Sequence, residues 1–413
     1  MSHEEIRPFK VEVPQAEHER LVRKLRDTRI SSTEIVPGAG DDYGIPTVWI
    51  QQMYKYWLEK YDWYKAQSEM NAYPHFTTSI NKQNIHFVHA KSDRPDAIPI
   101  LLIHGWPGSF YEFSQVVPIL TSPANANDQA FHCVVPSLPG FCYSSPPPRG
   151  QTLKHVAGMF HTLMLRLGYS RFVIQAGDWG HWCAREICAN PAYSPSVLAA
   201  HFNWIPAPLP PLPEMRPGTC LSNIPPREVS IRMRVNAWLQ THLAYAQFMR
   251  TRPSTLGTML TDSPTALLAF LGEKYIEVSN PANPLVQSDK WKDHILSTVC
   301  LYYFSDCAAT ASLVYFENLR HESFATEIVS RENWIGIPMA YTSFLYDTRP
   351  SVRWGVEKTG NLVYYNERDT AGHFACLEEP EGTVADLRAV VALARDGKVQ
   401  NKAYPGPPDL NTR

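Results

Sequence analysis

Six consecutive residues with no charged or hydrogen-bonding side chain, Ile98–Ile103 (IPILLI), constrain this chain more than any other stretch. A strand that is apolar at every position, rather than at every second one, has both faces buried, as in a parallel sheet covered on two sides. Further short candidates are Ile85–His89, Phe131–Val135 (FHCVV), Phe172–Gln175 (FVIQ), Ile335–Tyr341 (IGIPMAY) and Asn361–Tyr365 (NLVYY). A helical pattern over Leu153–Leu167 separates two of them, and the last helix falls on Glu381–Arg395. Strands alternating with helices predict an α/β fold, a mostly parallel sheet with helices on both faces.

The chain has 413 residues, which at about 150 residues per domain means two or three units, or one large α/β domain with insertions. The first ninety residues read as helical and polar, with Leu21, Leu25 and Ile30 near helical spacing in one segment. Val48–Tyr64 carries Trp49, Tyr54, Trp57, Tyr61 and Trp63, an aromatic stripe that reads as a packing face. Ile205–Pro226 is too dense in proline for a helix or a central strand. From Arg227 to Phe316 the pattern is helical, and strands return after it. A helical block thus interrupts a sheet domain, as a lid inserted into a hydrolase core does. The expected division is 1–90 (N-terminal segment), 91–204 (core, first part), 205–328 (helical lid) and 329–413 (core, second part).

Composition excludes several classes. Lysine plus arginine (38) nearly balances aspartate plus glutamate (40), so no long-range field draws nucleic acid or an acidic membrane surface. Apolar residues at 44% and aromatics at 12% rule out disorder over most of the length. The eight cysteines are scattered and form no C-x-x-C pair, which predicts free thiols in a reducing compartment rather than disulfides or a zinc site. Met1–Lys10 is polar, and no run approaches the roughly 18 apolar residues of a membrane span. A soluble, cytoplasmic protein is the expectation.

The strongest chemical signal is Gln175-Ala176-Gly177-Asp178-Trp179-Gly180, between a strand and a helical stretch. Small residues two before and two after a central residue suit a strained nucleophile elbow, here with aspartate in place of serine. The bland alternative is an ordinary helix N-cap. As a nucleophile, a carboxylate attacking an ester would give an anhydride; attacking a saturated carbon, it gives an ester that water can cleave. Epoxides and alkyl halides are such substrates. After Ile98–Ile103 comes His104-Gly105-Trp106-Pro107-Gly108-Ser109, a turn suited to supply an oxyanion-hole N–H. The N–H groups of Trp106 and Trp179 are the expected pair. Gly372-His373-Phe374 follows the last strand, where the general base of an α/β hydrolase stands. Asp347, in the loop after Ile335–Tyr341, is the favoured acid to orient His373; Asp369 and Glu357 are rivals. Opening an epoxide leaves an alkoxide that needs a neutral donor. Tyr245, Tyr275, Tyr302, Tyr303 and Tyr315 in the helical block are all eligible, and the residues alone do not choose among them.

Together these residues resemble an epoxide hydrolase of the microsomal type. The resemblance runs over nearly the whole chain: Ile6–Glu12, Tyr73-Pro74-His75-Phe76, His104–Phe113, Gly177-Asp178-Trp179-Gly180, Gly272-Glu273-Lys274-Tyr275, Ala371–Ala375 and Glu378-Glu379-Pro380-Glu381. It implies an α/β-hydrolase core, a helical lid and an N-terminal segment wrapping both, without cofactor or metal. It implies Asp178 as nucleophile, Asp347 as acid, His373 as base, and Tyr245 and Tyr315 as the lid tyrosines. Three departures stand out. Ala176 and Cys142 replace family glycines, the latter putting substrate scope in question, and only five residues precede Ile6, as in anchorless members. The implied partner is a small-molecule epoxide, and a homodimer is compatible with related soluble members. A haloalkane dehalogenase, a ring-closing biosynthetic cyclase and a non-catalytic ligand carrier are the alternatives.

Overall fold

The computed structural model describes residues 5–212, 224–321 and 327–411. Its sheet has nine strands: β1 (Arg7–Phe9), β2 (His75–Ile80), β3 (Gln83–Ala90), β4 (Ile98–Ile103), β5 (Phe131–Pro136), β6 (Phe172–Ala176), β7 (Val197–Phe202), β8 (Ile335–Tyr346) and β9 (Gly360–Gly372). Their order is β1-β2-β3-β5-β4-β6-β7-β8-β9. The first four in that order pair antiparallel, and every pair from β5–β4 onward is parallel. The apolar run Ile98–Ile103 is β4, between β5 and β6, and Ile100 to Ile103 are fully buried.

The connection β4→β5 runs one way across the sheet and β6→β7 the other. With right-handed crossovers, their helices lie on opposite faces. Contacts agree: helix Leu153–Arg166 packs on helix Asp178–Ala189, and helix Val116–Thr121 packs on Pro380–Arg395. Strand order reverses beside β4 and β6, which opens a crevice at their carboxyl ends, the usual place for a ligand in such a sheet. Close approach at this point demands a glycine. A Cβ on Gly180, in the helix after β6, would stand 2.1 Å from the carbonyl oxygen of Ile103. Arg185, fully buried one turn on, ties the helix to the sheet through Asn333 O (2.8 Å) and Thr359 O (2.9 Å).

Three strands differ from expectation. The N-terminal ninety residues are not wholly helical, because β1 and β2 extend the sheet from β3. Their alternation is masked by His75, Thr77, Thr78 and Ser79, of which His75 and Thr78 are nonetheless buried. β7 (VLAAHF) has two alanines, weak strand formers, at its centre. The aromatic segment is two helices, Thr47–Glu59 and Trp63–Met70, since Asp62 caps the second through the N–H groups of Tyr64 and Lys65. Its stripe does pack: Met53, Trp57 and Trp63 are buried.

Between β7 and β8 the regular elements among the described residues are helices. Part of the proline-dense stretch, 213–223, lies outside the described residues. The N-terminal segment is fastened to the helical block by Lys24 Nζ to Asp262 (2.5 Å), Arg20 to the Tyr303 hydroxyl (3.0 Å) and Tyr56 to Asp293 (2.8 Å). Among the described residues, no single helix is long and apolar enough to cross a membrane.

Because the atom opposing a new methyl at Gly180 is backbone, Gly180→Ala is expected to destabilise the fold by about 1–3 kcal/mol, as overpacking does. A lower denaturant midpoint checks this; an unchanged midpoint would show that the helix can shift away from β4.

Candidate active site

β6 ends at Ala176, and the chain turns into the next helix within two residues. Gly177 is the cap position, so Asp178 is not an ordinary N-cap. Asp178 has φ +49°, a left-handed conformation rare outside glycine, asparagine and aspartate. This strain lifts its side chain into the crevice. Asp178 Oδ1 accepts the N–H of Trp106 at 2.8 Å, and the carboxylate also accepts the N–H of Trp179. The Trp106 turn comes this near only because residue 105 is glycine: a Cβ there would stand 2.1 Å from Asp178 Oδ1. The Trp106–Pro107 bond is cis.

β8 and β9 run further than their apolar cores suggest, to Tyr346 and Gly372. Asp347 and His373 therefore follow directly on two neighbouring parallel strands. His373 Nδ1 is 2.6 Å from Asp347 Oδ1, and Nε2 is 3.8 Å from Asp178 Oδ2. Asp347 Oδ1 also accepts the Thr348 N–H at 2.6 Å. From the helical block, Arg234 donates to the carbonyls of Asp347 and Tyr346. The rivals are elsewhere: Asp369 pairs with Arg227 at 3.0 Å, and Glu357 with Arg353 at 2.7 Å.

Tyr245 and Tyr315 stand on packed helices, Ala244–Thr251 and Leu313–His321, and hydrogen-bond to each other. Tyr245 stacks on the Trp106 indole, centroids 5.0 Å apart at 12°. Tyr315 stands edge-on to Trp179 at 4.7 Å and hydrogen-bonds its side chain, whose indole can only donate. Burial, and the negative charge of Asp178 close by, push both phenols above their ordinary value, so both are neutral donors near pH 7. The other three tyrosines are engaged elsewhere. Tyr275 stacks on Phe374 at 4.1 Å, Tyr302 donates to Gly108 O at 2.9 Å, and Tyr303 meets Arg20.

Two carboxyl groups escaped the sequence reading. Glu112 lines the space between Asp178 and His373, and burial, with Asp178 and Asp347 nearby, pushes it up to about 8 against the pull of His373. Glu378 accepts the N–H groups of Gly372 and Asn280, both at 3.1 Å, and binds the His373 loop to the helical block; burial raises it to about 7. Each belongs to a block of the resemblance, but only the tertiary fold reveals its burial. Cys142 has φ +46° and is buried, its side chain hydrogen-bonded to that of Cys307. The residue that replaces a glycine thus packs against the helical block. The wider clefts, such as one lined by Lys60, Tyr111 and His294, do not include Asp178.

Burial alone would depress the imidazole of His373. The Asp347 carboxylate, with Asp178 and Glu112 beyond it, outweighs burial and raises it to about 9. A folded-state value above the unfolded reference of about 6.5 means the imidazolium stabilises the fold below that pH and loses this contribution as pH rises through about 9.

Fold and site together define an α/β hydrolase with a carboxylate at the elbow. Residues 6–113 match the family described as epoxide hydrolase N terminus, and residues 98–208 the alpha/beta hydrolase fold. Epoxide hydrolase 1 of Sus scrofa is 30% identical over 424 residues, spanning 94% of this chain and 89% of the relative. The solved Aspergillus niger epoxide hydrolase is similar at a TM-score of 0.81 and 33% identity, over 94% of this chain and 97% of that one. The juvenile hormone epoxide hydrolase of the silkworm Bombyx mori gives 0.78 and 26%, over 96% of each chain. The chain belongs to the epoxide hydrolase family.

Asp178→Asn keeps the side-chain shape and removes one charge beside His373. It is expected to lower the His373 titration midpoint from about 9, followed by NMR of the imidazole; an unmoved midpoint would contradict the coupling.

Proposed function

We propose that the protein hydrolyses a small-molecule epoxide to a vicinal diol through a covalent ester on Asp178. The observation that carries this reading is the convergence on one carboxylate of two backbone N–H donors, one histidine held by a second carboxylate, and two neutral phenols. Tyr245 and Tyr315 donate to the epoxide oxygen. Asp178 Oδ2, the oxygen facing His373, attacks a ring carbon as the C–O bond breaks. Oδ1, already held by the N–H of Trp106, becomes the ester carbonyl and then the oxyanion when water adds, with the Trp179 N–H as the second donor.

His373 takes the proton of that water and returns it to the departing diol oxygen, while Asp347 holds the ring in register. Esterification removes the charge of Asp178, and with it one of the groups that raise His373. The imidazolium can then give its proton to solvent, and the neutral ring acts as the base after ring opening.

The domain division belongs to the same proposal. Residues 205–328 serve as lid, and 1–90 strap the lid to the core halves 91–204 and 329–413, supported by the Lys24–Asp262 and Tyr56–Asp293 contacts. Seven described cysteines are buried free thiols, which supports residence in the reducing cytoplasm; Cys220 lies outside the described residues. A homodimer rests on the resemblance alone. Haloalkane cleavage is the weaker reading, because the Trp179 side chain that would hold a halide already bonds Tyr315.

His373→Gln removes the base and leaves ring opening intact. It is expected to accumulate an adduct on the peptide containing Asp178, heavier by one epoxide, in intact-protein and peptide mass spectra. Absence of any adduct across styrene-type, aliphatic and polycyclic epoxides would count against the covalent route.

A further inference from the structure

One cation of the helical block lies against the machinery without touching the reacting atoms. Lys274 sits near the end of the apolar helix Pro264–Glu277 and is only 4% exposed. Its ammonium is 4.5 Å from the ring centroid of Tyr245 and 5.6 Å from that of Trp238. Glu273 (2.8 Å) and Glu277 (2.6 Å) hold it there. The same Tyr245 ring stacks on Trp106, whose N–H binds Asp178.

We infer that Lys274 is a positioning residue for ring opening, acting through the π face of Tyr245 to make that phenol the stronger proton donor to the epoxide oxygen. The inference rests on the function proposed above and extends it. In ring opening the bond from Asp178 Oδ2 to carbon forms, the C–O bond breaks, and the Tyr245 proton moves to the departing oxygen. The phenol ring takes up the negative charge that the proton leaves, and it is recharged later by the proton freed when the Asp178 ester is hydrolysed. A cation over an aromatic face is attracted to it, more so as the ring becomes negative. The attraction is therefore greater in the transition state than in the resting enzyme, which is the condition for accelerating a step. Glu277 opposes this, since its charge raises Tyr245; Lys274, bound to Glu277, offsets that charge. Ester hydrolysis does not use the phenol and should not sense the lysine.

Rapid-quench single turnovers of a styrene-type epoxide, with enzyme in excess, read formation and decay of the alkyl-enzyme separately. Lys274→Met is expected to slow formation about tenfold, the scale of a desolvated cation–π contact, and to leave decay unchanged. Lys274→Arg keeps a cation suited to an aromatic face and should restore formation to within about threefold of the parent. In a Tyr245→Phe background, Lys274→Met should slow formation no further. If Lys274→Met fails to fold by circular dichroism, Lys274→Met in a Glu277→Gln background, compared with Glu277→Gln alone, takes its place with the same expectations. Unchanged formation, or an equal loss with Tyr245 absent, would overturn the inference and leave Lys274 a lid anchor. Failure of the underlying function would look different: no alkyl-enzyme even in the parent.

Discussion

The structure depends on one residue held where side chains rarely go. Asp178 at φ +49° costs on the order of 1–3 kcal/mol in backbone strain. What holds it is packing: Gly180 against the Ile103 carbonyl, and Gly105 against the Asp178 carboxylate. β4 and β6 are adjacent and buried at their carboxyl ends, so neither the turn that carries Asp178 nor the turn that carries its N–H donor can relax independently. The site is an outcome of how closely two strands end.

Around that residue the charge is arranged unevenly. Asp347 and Asp178 raise His373, and Glu112 adds to this only when ionised, while burial drives Glu112 towards its neutral form. With every carboxyl ionised the pocket would be heavily negative; a neutral Glu112 relieves this. The histidine is thus cationic while Asp178 is charged, and the ester proposed on Asp178 would relieve it of one anion. The helical block contributes on the far side, with phenols kept neutral by burial and Lys274 lying over one of them.

Much of this was legible in the linear chain, for particular reasons. Ile98–Ile103 declares itself because both of its faces are covered. Asp178 and His373 stand in short motifs whose backbone demands are local. Asp347 could be placed because strands predict where loops begin, although β8 ends five residues beyond its apolar core. What resisted is non-local. β7 hides behind alanines, and β1 and β2 pair only with each other and β3. Five tyrosines share one helical block, and only the crossing of two of its helices brings Tyr245 and Tyr315 over Asp178; family resemblance, not periodicity, singled them out. Glu112 and Lys274 look like ordinary surface charges until the fold half-buries the first and buries the second.

In the proposed reaction a protein carboxylate lends its own oxygen to the product and regains one from water. A single turnover in heavy-oxygen water, with enzyme in excess of a racemic epoxide, tests it directly. After digestion, the heavy isotope is expected in the peptide bearing Asp178, and the first glycol is expected to be unlabelled. A first glycol carrying the isotope, with the peptide unlabelled, would contradict it.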